Sequence, residues 1–332
     1  MNVAQSESRE NLLAMPSRSN VSEAKLETLN FELDMPRLIV IVGPTAVGKT
    51  AAAISLAEML HTEIVSCDSR QFYSELKIGV ARPSDEELAT LPHHFIACRP
   101  VTNPYNVYTY EHEALALLDT LFGKFDTVVA VGGSGLYVDA LCKGINFMPD
   151  PTPELRASLK QRIAEGGLPD MLEELKKLDP DYYAVVDHRN PIRIQRALEI
   201  IHTAGVPCSQ LLQPSLPQRP FEIVKVAITA DRDTLRDRIY RRVDQMMDQG
   251  LLDEAETLLP LRNLNTLNTV GYKELFAYFD GSVSLDEAVM QIKNHTWQYA
   301  KKQLTWLKRY DDISWIESQS ASKSLSELFV KN

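Results

Sequence analysis

Residues 38–50 read LIVIVGPTAVGKT, and this stretch decides the fold. Its first five residues are apolar, mostly β-branched and without alternation, which is typical of a parallel strand that is buried on both faces. The remaining residues match the phosphate-loop pattern G-x-x-x-x-G-K-[ST]. We therefore predict a strand over residues 38–42, a phosphate-binding loop after it, and a helix over residues 51–60.

Three further apolar segments extend this pattern along the chain. They predict strands over residues 63–66, 127–131 and 224–229, and a long helical pattern follows over residues 232–249. Strands that alternate with helices form parallel sheets with helices on both faces. The chain is therefore predicted to be an α/β protein whose core is a P-loop NTPase-like, doubly wound parallel sheet.

The strand signal disappears in the middle of the chain. Thr152 before Pro153 and Asn190 before Pro191 are helix start signals, and apolar residues recur with helical spacing after each of them. We predict an all-helical insertion over residues 149–218, within a core made of residues 36–148 and 219–332. Residues 1–35 are polar without a sustained apolar run, and we predict that they form a mobile tail.

The formal net charge of −10 argues against general binding to nucleic acid or anionic membranes. Any polyanionic partner must therefore meet a local basic surface. No apolar stretch is long enough to span a membrane. The four cysteines have neither a disulfide-framework spacing nor a zinc-module spacing, which favours reduced thiols in a cytosol. We expect a cytoplasmic monomer.

The phosphate loop predicts a site for a di- or triphosphate. Backbone amides of a glycine-rich turn converge on an anion, the Lys49 ammonium adds a full positive charge, and the Thr50 hydroxyl can hold Mg²⁺. The residues assigned to this site are Gly43, Pro44, Thr45, Ala46, Val47, Gly48, Lys49 and Thr50.

The acidic residue that holds the metal in ordinary P-loop NTPases is missing from its usual place. The strand over residues 127–131 continues into the glycine-rich segment 132–135, which contains no carboxylate. The nearest carboxylate after a core strand is Asp68, which in a parallel sheet falls at the same edge as the phosphate loop. A lone strand-end Asp is often a turn former or a helix cap, but the neighbouring Ser69, Arg70 and Gln71 favour a functional role.

Eight further segments, in this order, complete a recognisable pattern. They are DSRQFY (68–73), IGVARP (78–83), PHH (92–94), GGSGLY (132–137), NPIRIQRALE (190–199), RIYRRVDQM (238–246), VGYKE (270–274) and AKKQLTW (300–306). With these motifs the chain resembles the bacterial tRNA dimethylallyltransferases over residues 36–315.

The resemblance implies an enzyme that transfers the dimethylallyl group of dimethylallyl diphosphate to N6 of adenosine at tRNA position 37, next to the anticodon, and releases diphosphate. It implies that Asp68 accepts the amine proton and that Ser134, where the family usually has Thr, bonds the substrate. Arg238 or Arg242 would join Lys49, Thr50 and Mg²⁺ in compensating the diphosphate charge. For these two arginines the alternative is pairing with surface acids of their own helix.

The resemblance also implies tRNA contacts in the core and in the insertion. The residues concerned are Asp68, Ser69, Arg70, Gln71, Ser134, Arg156, Ile192, Arg193, Ile194, Gln195 and Arg196. For each arginine the alternative is a solvated helix face.

Residues 291–310 contain lysines and an arginine but no acid, and this segment predicts the local basic surface that an RNA partner needs. Within it, Trp297, Tyr299 and Trp306 are predicted to pack in the core rather than to stack on bases.

Three positions depart from the family pattern: Val80 replaces a Thr, Ile192 replaces a Gln, and Trp297 replaces an Arg. Each departure removes a polar group near the expected RNA site. Two other functions remain open at this point. One is an adenylate isopentenyltransferase or P-loop nucleoside kinase that acts on free nucleotides, and the other is a non-catalytic nucleotide-binding regulator.

Overall fold

The computed structural model describes residues 35–212 and 218–330. This part of the chain forms two compact units. The first ends at Cys142 and resumes at Arg219, and the second is Lys143–Gln218. The second unit therefore begins before the boundary expected at residue 149. The tail expected over residues 1–35 lies outside the described residues except for Met35.

The first unit is built on a six-stranded sheet with the strand order β3-β2-β4-β1-β5-β6, in which all neighbours are parallel. The strands are β1 (Arg37–Val42), β2 (Ile64–Ser66), β3 (His93–His94), β4 (Thr127–Val131), β5 (Glu222–Thr229) and β6 (Ile313–Glu317). From β1 the chain crosses towards one edge of the sheet, and from β4 it crosses towards the other. The carboxyl ends of β1 and β4 therefore form a topological switch point, where ligands of open α/β sheets bind.

Helices account for most of the remaining chain. In chain order they are α1 (Lys49–Met59), α2 (Asp85–Thr90), α3 (Val107–Phe122), α4 (Gly135–Lys143), α5 (Pro153–Ala164), α6 (Leu168–Leu178), α7 (Pro180–Val185), α8 (Pro191–Ala204), α9 (Cys208–Leu211), α10 (Arg232–Asp248), α11 (Leu251–Leu258), α12 (Tyr272–Phe279), α13 (Leu285–Leu307) and α14 (Ala321–Phe329).

Strand β1 is fully enclosed because it pairs with β4 on one side and β5 on the other. Its side chains alternate between two cores: Leu38 and Val40 pack in one hydrophobic cluster, and Ile39 and Ile41 in another. The apolar run without alternation therefore reflects burial on both faces of the sheet.

The second unit contains α5 to α9 around a hydrophobic cluster of its own. Thr152 caps α5, Asn190 caps α8, and α8 ends at Gly205, whose φ of 71° places it in the left-handed region. Ile194 and Leu198 are fully buried in this cluster. The two start signals in the sequence thus mark real helix termini.

The predicted fold class is confirmed, and the predicted strands over residues 38–42, 63–66, 127–131 and 224–229 correspond to β1, β2, β4 and β5. The sequence reading missed β3 and β6, the two strands at the sheet edges. Strand β3 has only two residues, and the side chains of β6 are half-buried or exposed. Edge strands of this kind lack the apolar run that signals a buried strand.

Candidate active site

The phosphate loop connects β1 to α1 at the carboxyl edge of the sheet. Its first glycine, Gly43, approaches β5 so closely that a Cβ there would lie 2.5 Å from the carbonyl oxygen of Ile228. Gly48 has a φ of 99° and directly precedes the first residue of α1. The two glycines thus allow a turn that brings successive backbone amides to the start of a helix, where anions bind.

Lys49 is half-buried at the base of this loop, and its Nζ donates a hydrogen bond to the carbonyl oxygen of Pro44 at 2.7 Å. Burial lowers the pKa of Lys49 to about 8; the Asp68 carboxylate opposes this shift and the Arg242 guanidinium adds to it. The side chain therefore carries its charge in surroundings that strengthen its attraction to an anion.

Arg242 and Arg238 lie on α10 but face different surroundings. The Nη1 of Arg242 lies 3.4 Å from the Thr45 hydroxyl, and Arg242 lines the pocket next to Lys49. Arg238 instead donates to the Ser318 hydroxyl at 3.0 Å and does not line the pocket. Of the two arginines proposed from sequence, the structure brings only Arg242 to the phosphate loop.

Asp68 follows β2 and lies in the same pocket as Lys49. Its Oδ1 accepts a hydrogen bond from the Arg70 amide at 3.0 Å. Burial raises the pKa of Asp68 above its ordinary value, although the Arg70 amide and the charges of Lys49 and Arg70 oppose the shift. A carboxylate with a raised pKa in a pocket suits proton abstraction better than an ordinary surface Asp.

Ser134 is buried at the turn after β4 and holds the segment that follows Asp68. Its hydroxyl accepts a hydrogen bond from the Ser69 amide at 3.0 Å and shares a second with the Ser69 hydroxyl at 3.0 Å. Residues 132–135, directly after β4, include no carboxylate, as the sequence indicated. Ser134 therefore connects the turns that follow β2 and β4.

Helix α13 supplies two site residues that the sequence reading missed. The Gln303 side chain accepts from the Thr45 amide at 2.8 Å and donates to the Gly133 carbonyl at 2.9 Å, so it joins the phosphate loop to the turn after β4. Tyr299 lines the pocket with 41% of its surface exposed, and its hydroxyl interacts with Ser134 and Gln303. The expectation that Tyr299 packs in the core is wrong, because this face of α13 borders the pocket. The AKKQLTW segment was the available signal for Gln303.

The pocket is a cavity of about 280 Å³ that is lined by both polar and apolar side chains. Thr45, Lys49, Asp68, Arg70 and Arg242 are among the polar lining residues. The apolar lining residues are Val80, Val243, Met246, Leu251, Val270 and Ile292. This mixed lining suits a ligand that has an anionic head and a hydrocarbon tail.

One wall of the pocket is the loop of residues 79–81, which is held from two sides. On one side the Glu254 carboxylate accepts hydrogen bonds from the amides of Lys77, Ile78 and Gly79 at 3.1, 2.8 and 2.9 Å, and from the Tyr272 hydroxyl at 2.6 Å. On the other side the Gln71 side-chain amide donates to the carbonyls of Val80 and Ala81 at 3.3 and 3.0 Å. Gln71, which the sequence predicts to contact tRNA, thus also holds this loop in place. Arg70 donates to the Thr266 carbonyl at 3.0 Å and also lines the pocket.

In the second unit, the predicted tRNA-contacting residues divide into exposed and buried ones. Ile192 is 76% exposed and Arg193 is exposed. Ile194 is fully buried in the helical core, so its side chain is not available to RNA, which corrects the prediction for that residue. Arg156, Gln195 and Arg196 all bond to the buried Glu199.

The described residues were also examined for metal-ligand clusters and for membrane-spanning helices. Among the described residues, no group of three or more His, Cys, Asp or Glu side chains is arranged to hold a metal ion. Within the same part of the chain, no helix has both the length and the apolar character needed to cross a membrane.

The fold and the pocket define a P-loop α/β protein in which a phosphate-loop lysine and a carboxylate line one pocket. The chain belongs to the IPP transferase family, whose model matches residues 71–310. It is 47% identical over 298 residues to tRNA dimethylallyltransferase 1 of Bacteroides thetaiotaomicron, which covers 90% of this chain and 97% of that protein.

The structure is similar to solved structures as well. The full-length tRNA isopentenylpyrophosphate transferase of Bacillus halodurans matches with a TM-score of 0.64 and 34% identity, covering 87% of this chain and 94% of that one. A eukaryotic dimethylallyltransferase acting on tRNA matches with a TM-score of 0.71 at 24% identity, covering 85% of this chain and 74% of that one, which shows a shared fold.

Proposed function

We propose that this protein is a tRNA dimethylallyltransferase that transfers the dimethylallyl group of dimethylallyl diphosphate to N6 of adenosine 37, next to the anticodon. The observation that carries the proposal is that Lys49 and Asp68 line the same pocket, where one would bind the diphosphate and the other would accept the proton. Membership of the IPP transferase family and relatives named tRNA dimethylallyltransferases support the same reaction.

The adenine N6 amine is a weak nucleophile because its lone pair is delocalised into the ring. In the proposed reaction N6 forms a bond to C1 of the dimethylallyl group while the bond from C1 to the diphosphate oxygen breaks. The N6 proton passes to the Asp68 carboxylate. General-base assistance of this kind contributes roughly 10²- to 10⁴-fold in rate.

Diphosphate leaves with the electron pair of the broken bond, so its added negative charge must be stabilised. The phosphate-loop amides, the Lys49 ammonium and the Arg242 guanidinium would supply this stabilisation; Lys49 and Arg242 both line the pocket. The apolar lining residues, which include Val80 and Met246, would receive the hydrocarbon tail.

The residues at the start of α1 fit a magnesium ion that the diphosphate brings with it. Thr50 is the second residue of α1 and half-buried beside the loop, so its hydroxyl would hold the ion. Mg²⁺ keeps several waters and binds mainly through substrate phosphates, which suits a single protein ligand. When bound, the ion would neutralise part of the diphosphate charge.

The flipped adenosine must reach Asp68 from outside the stack of the anticodon loop. Tyr299 offers an exposed aromatic ring in the same pocket, and Ser134 fixes the Asp68–Arg70 turn. These features support a base-binding role for this side of the pocket.

The test is a product assay with two acceptors. The protein is incubated with dimethylallyl diphosphate, Mg²⁺ and either unmodified tRNA or AMP, and nucleosides are identified by mass spectrometry. We expect N6-dimethylallyladenosine from the tRNA reaction only. Prenylated AMP without prenylated tRNA would support the free-nucleotide alternative instead, and no product from either would overturn the proposed reaction.

A further inference from the structure

A buried carboxylate organises the arginines of the second unit. Glu199 on α8 is 3% exposed, and it accepts hydrogen bonds from the Arg156 Nε at 3.4 Å, the Gln195 Nε2 at 2.8 Å and the Arg196 Nη1 at 3.3 Å. Arg156 comes from α5, and the other two come from α8. Glu199 therefore fixes two guanidinium groups of different helices side by side.

The same two guanidinium groups face a second, exposed carboxylate. Asp150, which precedes α5, has one oxygen, Oδ1, that lies 3.9 Å from the Arg156 Nη2 and 3.8 Å from the Arg196 Nη2. Both distances exceed those of a hydrogen bond. The Asp150 side chain is 61% exposed, so solvent screens these attractions and each contributes little.

The two carboxylates thus differ in how firmly they hold the arginines. Glu199 is buried and makes direct hydrogen bonds, whereas the contacts of the exposed Asp150 with the Nη2 atoms of Arg156 and Arg196 are 3.9 and 3.8 Å long. A single anionic oxygen lies almost equally far from the two Nη2 atoms. The guanidinium fork matches the geometry of a phosphate as well as that of a carboxylate, so a phosphate oxygen can take the position of this carboxylate oxygen.

We propose that Asp150 occupies, in the free protein, the place of an RNA phosphate between Arg156 and Arg196, and that the substrate RNA displaces it on binding. The inference rests on the proposed function, which supplies RNA as the partner. Arg156, Arg196, Glu199 and Asp150 sum to zero formal charge in the free protein. When a phosphodiester replaces Asp150, Glu199 still holds both arginines in place.

The arrangement predicts that removing the Asp150 charge strengthens RNA binding. A carboxylate that competes with the ligand lowers affinity, so its removal strengthens binding. Replacing Asp150 by Asn leaves a net positive charge on the cluster, which RNA then neutralises with release of counterions. Asp150→Asn therefore tightens RNA binding and makes it more salt-dependent.

The experiment measures binding of an unmodified tRNA transcript to the full chain over a series of salt concentrations. For Asp150→Asn we expect about two- to fivefold tighter binding at low salt, since two weak surface pairs are lost. The slope of log affinity against log salt should steepen by about 0.7–0.9. Asp181→Asn, an exposed acid on α7 in the same unit, is the charge-matched control and should change affinity less.

A second variant separates displacement from a general charge effect. In the double variant Asp150→Asn/Arg156→Gln, the gain in affinity and the steeper slope should both disappear. Equal affinities for Asp150→Asn and Asp181→Asn would overturn the inference. Prenylation of the same tRNA by the unaltered protein is measured as a control. If the unaltered protein prenylates the tRNA, equal affinities of the two variants overturn only the role of Asp150. If the unaltered protein neither binds nor prenylates the tRNA, both the proposed function and this inference are overturned.

Discussion

The cations of the core pocket and those of the second unit are held in opposite ways. Lys49 and Arg242 are half-buried in the pocket, and burial lowers the pKa of each. The side chains of Arg156 and Arg196 are 49% and 35% exposed, and both donate hydrogen bonds to the buried Glu199 carboxylate. Enclosed charges act strongly on a ligand but are costly to bury, whereas exposed charges act weakly and are screened by salt. Substitutions in the pocket should therefore have much larger effects than those in the second unit.

The largest effect is expected at Asp68. Asp68→Asn keeps the shape of the side chain but removes the proton acceptor, so kcat for tRNA prenylation should fall by roughly 10²- to 10⁴-fold. Diphosphate binding should persist because the phosphate loop is unchanged. Turnover equal to that of the unaltered protein would exclude Asp68 as the base.

The raised pKa of Asp68 also predicts the pH dependence of the reaction. The carboxylate must be ionised to accept a proton, so kcat/KM should rise with pH through the Asp68 pKa, above the range of an ordinary Asp. A pH–rate profile measured with limiting tRNA tests this. If kcat/KM instead falls at low pH with the pKa of an ordinary Asp, burial does not raise the pKa of Asp68.

Lys49 is expected to give the next largest effect. Lys49→Gln removes a buried charge from the anion site and should weaken diphosphate binding by about 10- to 100-fold, as expected for a lost charge-assisted hydrogen bond. Because burial lowers the pKa of Lys49 to about 8, binding to the unaltered protein should weaken as the pH rises through 8 and the ammonium loses its proton. Calorimetric titration with diphosphate from pH 6 to 9 measures both effects. Lys49→Gln is also the control, because any pH dependence that remains in this variant comes from protonation of diphosphate itself. An identical pH dependence of binding in both proteins would therefore rule out Lys49 as the source of the pH dependence.

A smaller effect is expected from the wall of the pocket. Glu254→Gln replaces a carboxylate that accepts from three backbone amides and a tyrosine by a group with one acceptor oxygen. The loop of residues 79–81 should loosen, and KM for dimethylallyl diphosphate should rise about tenfold, with kcat changed less. Glu256→Gln, on an exposed position of the same helix, is the matched control. Equal kinetic constants for the two variants would show that the loop does not depend on Glu254.

The smallest effect is expected at the exposed Arg193. Arg193→Ala should weaken tRNA binding a few-fold at low salt, less at high salt, and reduce the salt slope by about 1 if the side chain meets a phosphate. Filter binding at several salt concentrations measures this. A loss of affinity that is the same at every salt concentration would point to altered folding of α8 rather than to a lost phosphate contact.

Much of the fold could be predicted from the sequence because the central strands carry strong, local signals. Strand β1 is buried on both faces and so reads as an unbroken apolar run, and the motif after it requires a phosphate loop. The edge strands β3 and β6 were missed because a short or half-exposed strand carries no such signal. Prediction of the helices of the second unit depended on the start signals at Thr152 and Asn190, which act within one turn of chain.

The site residues likewise divide into those that a local sequence signal marks and those that act through distant contacts. Lys49, Thr50 and Asp68 lie in segments whose own sequence indicates a function. Gln303, Glu254 and Tyr299 act across long sequence distances: Gln303 bonds to Thr45 and Gly133, and Glu254 to Lys77, Ile78 and Gly79. A local motif can mark such a residue, as AKKQLTW does for Gln303, but it does not report which residues it contacts.

The sequence by itself determined the phosphate loop, the positions of the buried strands along the chain and the missing acid directly after β4, because each depends on residues that are close together in the chain. Only the tertiary structure decided which of the two α10 arginines reaches the loop, and that Tyr299 faces the pocket. Those outcomes depend on how a helix is rotated against its neighbours. That rotation is set by packing of the whole core, which a helical spacing alone does not specify.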